Sequence, residues 1–309
     1  MIVVENISKS YKDIKALNNV SFKVNNGELF GIIGPDGCGK TTLMRIMVSL
    51  ILPDEGKVLL DNLDTNKDYK KIRNIIGYMP GKFSLYMDLT VKENIDFYSK
   101  VFGVSYQENY SLISDVYDQL APFQNRRAGQ LSGGMKQKLA LCCAMIHKPK
   151  ILFLDEPTTG VDAVSRTEFW DMIYKLRADG MTIVASTPYM DEAERCDRIA
   201  LFQNGNILGI DTPKQIVDNF DGKVIALVTR DVSKCIKLLK EWNDVHIAYL
   251  FGDSIHIIMK DKSEQLSTIS NFLNKHSVNV TSINFVNPNI EDCYIYLNYN
   301  VNPENYSNV

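Results

Sequence analysis

An apolar run, Leu29–Ile33, leads straight into Gly34-Pro35-Asp36-Gly37-Cys38-Gly39-Lys40-Thr41, and helix-forming residues follow. The octet has the spacing G-x-x-x-x-G-K-[ST]. A strand before it and a helix after it are the setting in which that spacing wraps backbone N–H groups round a phosphate chain. The glycines let the backbone come close, and the helix N-terminus adds positive potential. Lys40 is then placed to reach β- and γ-phosphates, and Thr41 to offer its hydroxyl to Mg²⁺. Such a loop needs parallel strands backed by helices, so the chain is expected to be α/β.

A second run, Ile151–Leu154, is apolar throughout and reads as a parallel strand buried on both faces. It delivers Asp155 and Glu156 to its end. Two carboxylates at a strand end are common by themselves. Downstream of a phosphate loop they read as a Mg²⁺ partner, Asp155, and a general base for the attacking water, Glu156.

The bulk properties bound the rest. With 309 residues the chain holds one or two domains. Its 45% hydrophobic and 23% charged residues are ordinary for a globular protein. The net charge of −3 gives no overall field to attract nucleic acid, and no nucleic-acid partner is expected. Six cysteines are scattered without a C-x-x-C pair, which argues against zinc and redox motifs and for a reduced, cytosolic chain. The N-terminal MIVVENISKSYKD reads as a strand rather than a signal peptide. The apolar runs fall far short of the roughly 20 residues of a membrane span. If the protein serves transport, the pore is another polypeptide.

Along the chain, β-rich stretches at Ile2–Ile7, Val20–Val24 and Glu28–Ile33 precede a helix from Lys40 limited by Pro53. Strand character returns at Val58–Leu60 and Ile75–Tyr78. Residues 88–148 read as mainly helical, with Thr90 and Glu93 forming a capping box. Phe169, Ile173 and Leu176 mark a helix stopping at Gly180. Thr182–Ala185 is a buried strand, and Ile199–Phe202 enters a hairpin at Asn204-Gly205. The tail reads β-α-β-β-α-β: Val224–Val228, a stripe of Cys235, Ile236, Leu239 and Trp242, then Val245–Leu250 and Ile255–Met259. A second helix carries Leu266, Ile269 and Phe272 behind caps at Asp261 and Glu264, and Val278–Phe285 closes the set. That order predicts a small α+β domain of ferredoxin-like topology, with the boundary near Phe220–Gly222.

Between the two phosphate-site segments lies Leu131-Ser132-Gly133-Gly134-Met135-Lys136-Gln137. On its own it is a Ser-capped helix start with an exposed, anion-seeking N-terminus. The order of phosphate loop, LSGGMKQ and LFLDEP resembles the ABC ATPases, over residues 1–220. GPDGCGKTTLMR, IGYMP, FSLYMDLTVKEN and LSGGMKQKLAL look like the ATPases of bacterial multidrug-type exporters with ABC-2 permeases. The resemblance implies a P-loop NTPase core over 1–220, a helical subdomain at about 82–148, and an accessory domain over 221–309. It implies ATP and Mg²⁺ as ligands. The nucleotide contacts would be Gly34, Pro35, Asp36, Gly37, Cys38, Gly39, Lys40, Thr41 and Thr42, with Tyr11 stacked on adenine or serving only as a packing residue. Thr41 and Asp155 would hold the metal, and Glu156 would be catalytic. Ser132, Gly133 and Gly134 would close over the γ-phosphate held by an opposite subunit. Thr158-Thr159-Gly160-Val161-Asp162 resembles the loop that meets that subunit. The implied partners are an integral-membrane permease and a second ABC ATPase, identical or not. The implied location is the cytoplasm, peripheral on the inner face of the membrane through the permease.

Two positions depart from the family pattern. Gly81 stands where a Gln follows the IGYMP-like strand, and Pro188 stands where a His follows Thr182–Ser186 and Thr187. Either neighbouring groups compensate, or the sequence is altered at Gly81, or the site binds ATP well and hydrolyses it poorly. A regulatory ABC protein with little turnover is the alternative function. Soluble ABC proteins of translation or DNA repair fit less well: one cassette is present, and only about ninety residues separate Thr41 from Leu131. Cys38, beside a helix N-terminus, is expected to be a low-pKa thiol open to alkylation.

Overall fold

The computed structural model describes residues 1–301 apart from 106 and 261–265. The caps expected at Asp261 and Glu264 lie outside the described residues. The chain divides into two compact units, Met1–Pro213 and Lys214–Val309, a little before the boundary expected near 220.

The first unit runs β1 (Ile2–Tyr11), β2 (Ile14–Val24), β3 (Leu29–Ile33), α1 (Lys40–Met47), β4 (Glu55–Leu60), β5 (Leu63–Asp64), α2 (Tyr69–Ile75) and β6 (Ile76–Met79). It continues α3 (Val91–Phe102), α4 (Tyr110–Leu120), α5 (Gly133–Met145), β7 (Ile151–Asp155), α6 (Ala163–Ala178), β8 (Thr182–Thr187), β9 (Arg198–Gln203) and β10 (Asn206–Asp211). α7 (Pro213–Asp218) spans the division. A six-stranded sheet has the order β10-β9-β3-β8-β7-β6, parallel except for the edge strand β10. A four-stranded antiparallel sheet has the order β2-β1-β4-β5.

The central strands explain the sheet. Every residue of β3, β7 and β8 is buried, as befits strands covered on both faces. α1 packs on β7 and β8. Phe22 of β2 stacks on Phe30 of β3 at 5.1 Å and ties the two sheets into one core with Leu43, Met44 and Met47. α1 stops at Met47, short of Pro53, because Ser49 turns left-handed (φ 60°) and the N–H groups of Val48 and Ser49 return to the last helical carbonyls. Turn geometry, not proline, ends it. α2 was not foreseen in the pattern. The capping box at Thr90 and Glu93 is present in full.

The consequence for function is positional. In a parallel sheet the carboxyl ends of the strands share one edge, where ligands bind in open α/β folds. The pairings Ile33 with Thr187 and Asp155 with Ser186 place the ends of β3, β8 and β7 side by side.

The second unit runs β11 (Val224–Thr229), α8 (Val232–Glu241), β12 (Val245–Phe251), β13 (Ser254–Met259), α9 (Leu266–Lys275), β14 (Val280–Val286) and α10 (Ile290–Val301). Its sheet, β12-β13-β11-β14, is antiparallel throughout. α8 and α9 bury one face with Ile225, Leu227, Ile257 and Leu273. α10, which the pattern did not reveal, contributes Ile295, Tyr296 and Tyr299 against Val224, Ile247 and Ile258 of the sheet. Among the described residues no helix is long and apolar enough to cross a membrane.

Candidate functional site

The phosphate loop is shaped by two left-handed glycines, Gly37 (φ 78°) and Gly39 (φ 113°). At Gly37 a side chain would meet open space, but at Gly39 a Cβ would lie 2.4 Å from the carbonyl of Ala16, so only glycine fits there. The loop is braced from outside. The turn at Asn204-Gly205 donates its Gly205 N–H to the Cys38 carbonyl (2.8 Å), and Asn18 N–H donates to the Gly205 carbonyl (2.9 Å). A hairpin readable in the sequence thus has a use the sequence did not show.

Lys40 is almost wholly buried, 2% exposed. Its Nζ donates to the carbonyls of Gly34 (2.7 Å) and Pro35 (2.9 Å) and lies 3.1 Å from Oε1 of Glu156. The ammonium is therefore held by the loop it serves and by the proposed base.

Thr41 Oγ1 donates to Asp155 Oδ1 (3.1 Å), and Ser186 Oγ donates to the same oxygen (2.7 Å). Asp155 is 1% exposed. Ser186 was missed by sequence reasoning, although a hydroxyl ending an apolar strand was a signal. Glu156 has a left-handed backbone (φ 51°), costly for a residue with a Cβ. Its N–H is caught by the carbonyl (3.0 Å) and Oγ (3.1 Å) of Ser186, and its carbonyl accepts from Thr159 N–H (3.2 Å). Strain held in place by neighbours is typical of a functional position.

The Cys38 thiol departs from expectation. Burial pushes its pKa up, outweighing the nearby Lys40 charge and the backbone N–H groups. The side chain is 3% exposed and turned into the core beneath Gly34. Its position near a helix start does not make it reactive; its backbone belongs to the loop and its sulfur does not.

Ser132 caps α5, accepting from Met135 N–H at 3.3 Å. Ser132 and Gly133 are exposed, so the signature start faces outward. Tyr11, at the end of β1, is 46% exposed. Gly81 lies against the strand end of β7: a Cβ there would be 3.0 Å from the Asp155 carbonyl and 3.7 Å from Glu156 Cβ. Gly81 is thus beside the backbone of Asp155 and the Cβ of Glu156, and room for a side chain is tight.

The family described as ABC transporter matches residues 17–159. The linearmycin resistance ATP-binding protein LnrL of Bacillus subtilis (strain 168) is 30% identical, over 96% of this chain and 98% of its own length. The chain belongs to the ABC transporter ATP-binding proteins. The probable multidrug ABC transporter ATP-binding protein YbhF of Escherichia coli (strain K12) is 35% identical over 92% of this chain. The chain spans 49% of YbhF, about half the length of that relative. The Nod factor export ATP-binding protein I of Rhizobium etli is 34% identical over 77% of each chain. Among solved structures, a dimeric ATP-binding cassette in a post-hydrolysis state, bound to ADP and Pi, has a TM-score of 0.62 at 30% identity. It covers 69% of this chain and 98% of its own.

ABC ATPases take ATP with Mg²⁺, and the residues of this one fit both. Thr41 and Asp155 present hard oxygen donors side by side, the kind Mg²⁺ prefers. Lys40 and the glycine-lined loop present a cation and backbone N–H groups to phosphates.

Proposed function

We propose that this ABC ATPase binds and hydrolyses ATP to power export through a separate integral-membrane permease. It works in the cytoplasm on the inner face of the membrane and pairs with a second ATPase subunit. One observation carries the reading: Lys40, Thr41, Asp155 and Glu156 converge at the carboxyl ends of β3 and β7. The exposed start of α5, Ser132 and Gly133, supports the pairing, since it leaves a helix N-terminus open to an anion from a second subunit. The printed names of the relatives, multidrug, linearmycin resistance and Nod factor export, support the direction.

In this mechanism Lys40 exchanges the carbonyls of Gly34 and Pro35 for phosphate oxygens and releases Glu156. The freed Glu156 carboxylate accepts a proton from the attacking water. Thr41 and Asp155 would hold Mg²⁺, which when bound neutralises phosphate charge. Ser186 fixes the Asp155 oxygen and the Glu156 N–H at once. For the permease, an apolar groove lined by Tyr78, Met79, Leu85, Tyr98, Val101 and Phe102 is the supporting surface. Leu50, Tyr86, Met87 and Val101 stand exposed at or near it, a concentration of apolar surface that marks a partner.

Gly81 and Pro188 make this site a slow one when alone. Loss of one preorganised donor to transition-state charge costs about 2.7–4 kcal/mol, and Pro188 has neither a side-chain donor nor an N–H. The signature of this chain would then complete a faster site on its partner. Phosphate release tests the reading, measured for the chain alone and with permease and partner. Slow release alone, faster release in the assembly and dependence on Ser132 are expected. A high rate from the chain alone, abolished by Glu156→Gln, would sink the slow-site proposal.

A further inference from the structure

Glu192 lies in the short 3-10 helix Met190–Arg195 and is 1% exposed. Its carboxylate joins the segment after β7 to the end of β8. Oε1 accepts from Thr158 Oγ1 at 2.7 Å, and Oε2 accepts from Thr187 Oγ1 at 2.5 Å. Thr158 follows Glu156 by two residues, and Thr187 ends β8 directly before Pro188; both threonines are 1% exposed. Thr187 also accepts Gly34 N–H on its carbonyl (3.2 Å) and Tyr189 N–H on its hydroxyl (3.1 Å). Arg166 of α6 stands 3.7 Å from Glu192 Oε1, pairs with Asp191 at 2.5 Å, and lies over the Tyr189 ring at 5.1 Å.

We propose that Glu192 is a positioning residue of the nucleotide site: its carboxylate clamps the loop after Glu156 to the end of β8. This rests on the hydrolytic reading given above. A carboxylate withdrawn from water is costly unless donors satisfy it, so Glu192 holds both threonines strongly. The line from Gly34 through Thr187, Glu192 and Thr158 then reaches within two residues of Glu156. It fixes the spacing between the phosphate loop and the base from the side where Pro188 contributes no donor. Hydrogen bonds to a charged group are the strong kind. Breaking one lets Glu156 drift from the water it must meet, and a misplacement of that kind lowers the rate without loosening the phosphates.

The test uses Thr158→Val and Thr187→Val in the 309-residue chain. These are close in shape and delete one donor each. Thr158→Ser and Thr187→Ser serve as the conservative pair. Single-turnover phosphate release gives the rate, and a fluorescent ATP analogue gives the affinity. Each valine variant should slow turnover by about 10-fold or more with affinity within about twofold, and each serine variant should restore the rate. The double valine variant should be slowed little beyond the single ones, because both act through one carboxylate. Glu192→Ala should match the double variant if it folds; if it does not, the threonine variants decide. Folded valine variants at the parental rate, or a loss of affinity equal to the loss of rate, overturn the proposal. If Lys40→Ala abolishes turnover in that same experiment, the hydrolytic reading stands without it. A parent chain with no Lys40-dependent turnover overturns both.

Discussion

Glu192 in the first unit and Asp292 in the second are both carboxylates taken out of water, 1% and 0% exposed. Each is satisfied, but by different kinds of neighbour. Glu192 collects hydroxyls from the segment after β7 and from the end of β8, at the ligand edge of a parallel sheet. Asp292 collects the Tyr249 hydroxyl and His256 Nδ1 (2.7 Å) from two paired strands, and it caps α10 reciprocally with Asn289. One network ties together segments that meet a ligand; the other fastens a helix to a sheet. Satisfaction alone therefore says nothing of function. The location of the donors does.

The largest effect expected is at the ligand edge. Lys40→Ala removes the cation of the phosphate loop and should lower steady-state ATP hydrolysis by roughly 10³-fold, with melting behaviour near the parent's. Equal activity in mutant and parent would erase the distinction between the two regions.

Asp292→Ala should do the reverse. It leaves the buried Tyr249 and His256 groups without their acceptor, at about 1–3 kcal/mol for each group. Denaturation should show a weakened second unit, and nucleotide affinity should hold. The pH dependence has a definite sign. Burial opposes ionisation of Asp292, but His256, Tyr249 and the Asn289 backbone outweigh it and keep the carboxyl below its ordinary 3.8. The contribution is thus complete above that value and drains away as pH falls below it. Stability of the second unit unchanged from pH 6 to pH 2 would contradict this, as would lost ATP affinity in Asp292→Ala.

Much of the ligand edge was legible because its residues are neighbours in the chain. Gly34–Thr41 and Ile151–Glu156 each carry strand, turn and chemistry in one segment. The bracing of the phosphate loop by Gly205 was not legible, since a two-residue turn does not announce where it lands. The pairing of Thr158 and Thr187 with Glu192 spans thirty-four and five residues, and no periodicity links them. α10 escaped notice because Asn298, Asn300 and three tyrosines interrupt its apolar stripe, although Tyr296 and Tyr299 pack by their rings. At Cys38 burial outweighs the helix start, and no spacing in the sequence shows which way that one side chain turns.

A smaller effect tests the departures. Pro188→His should raise turnover by up to about tenfold, without changing ATP affinity. Gly81→Gln should help less, since its Cβ must settle 3.0 Å from the Asp155 carbonyl. No gain from Pro188→His would mean that the Thr187 clamp already does what a side chain there could do.

The smallest effect is at Cys38. With its pKa raised, the thiol holds little thiolate at pH 7, so alkylation followed by mass spectrometry should be slow in the folded chain and quicken above pH 9. Rapid labelling at neutral pH would show that the sulfur is not confined to the core.

The left-handed backbone at Glu156 bears on attempts to improve this protein. Glycine and asparagine adopt φ 51° more readily than glutamate does. Any gain in stability from Glu156→Gly or Glu156→Asn is opposed by the loss of the carboxylate 3.1 Å from buried Lys40. Backbone ease and charge pairing thus pull in opposite directions at this one residue, and the ion pair helps to hold the strained conformation in place.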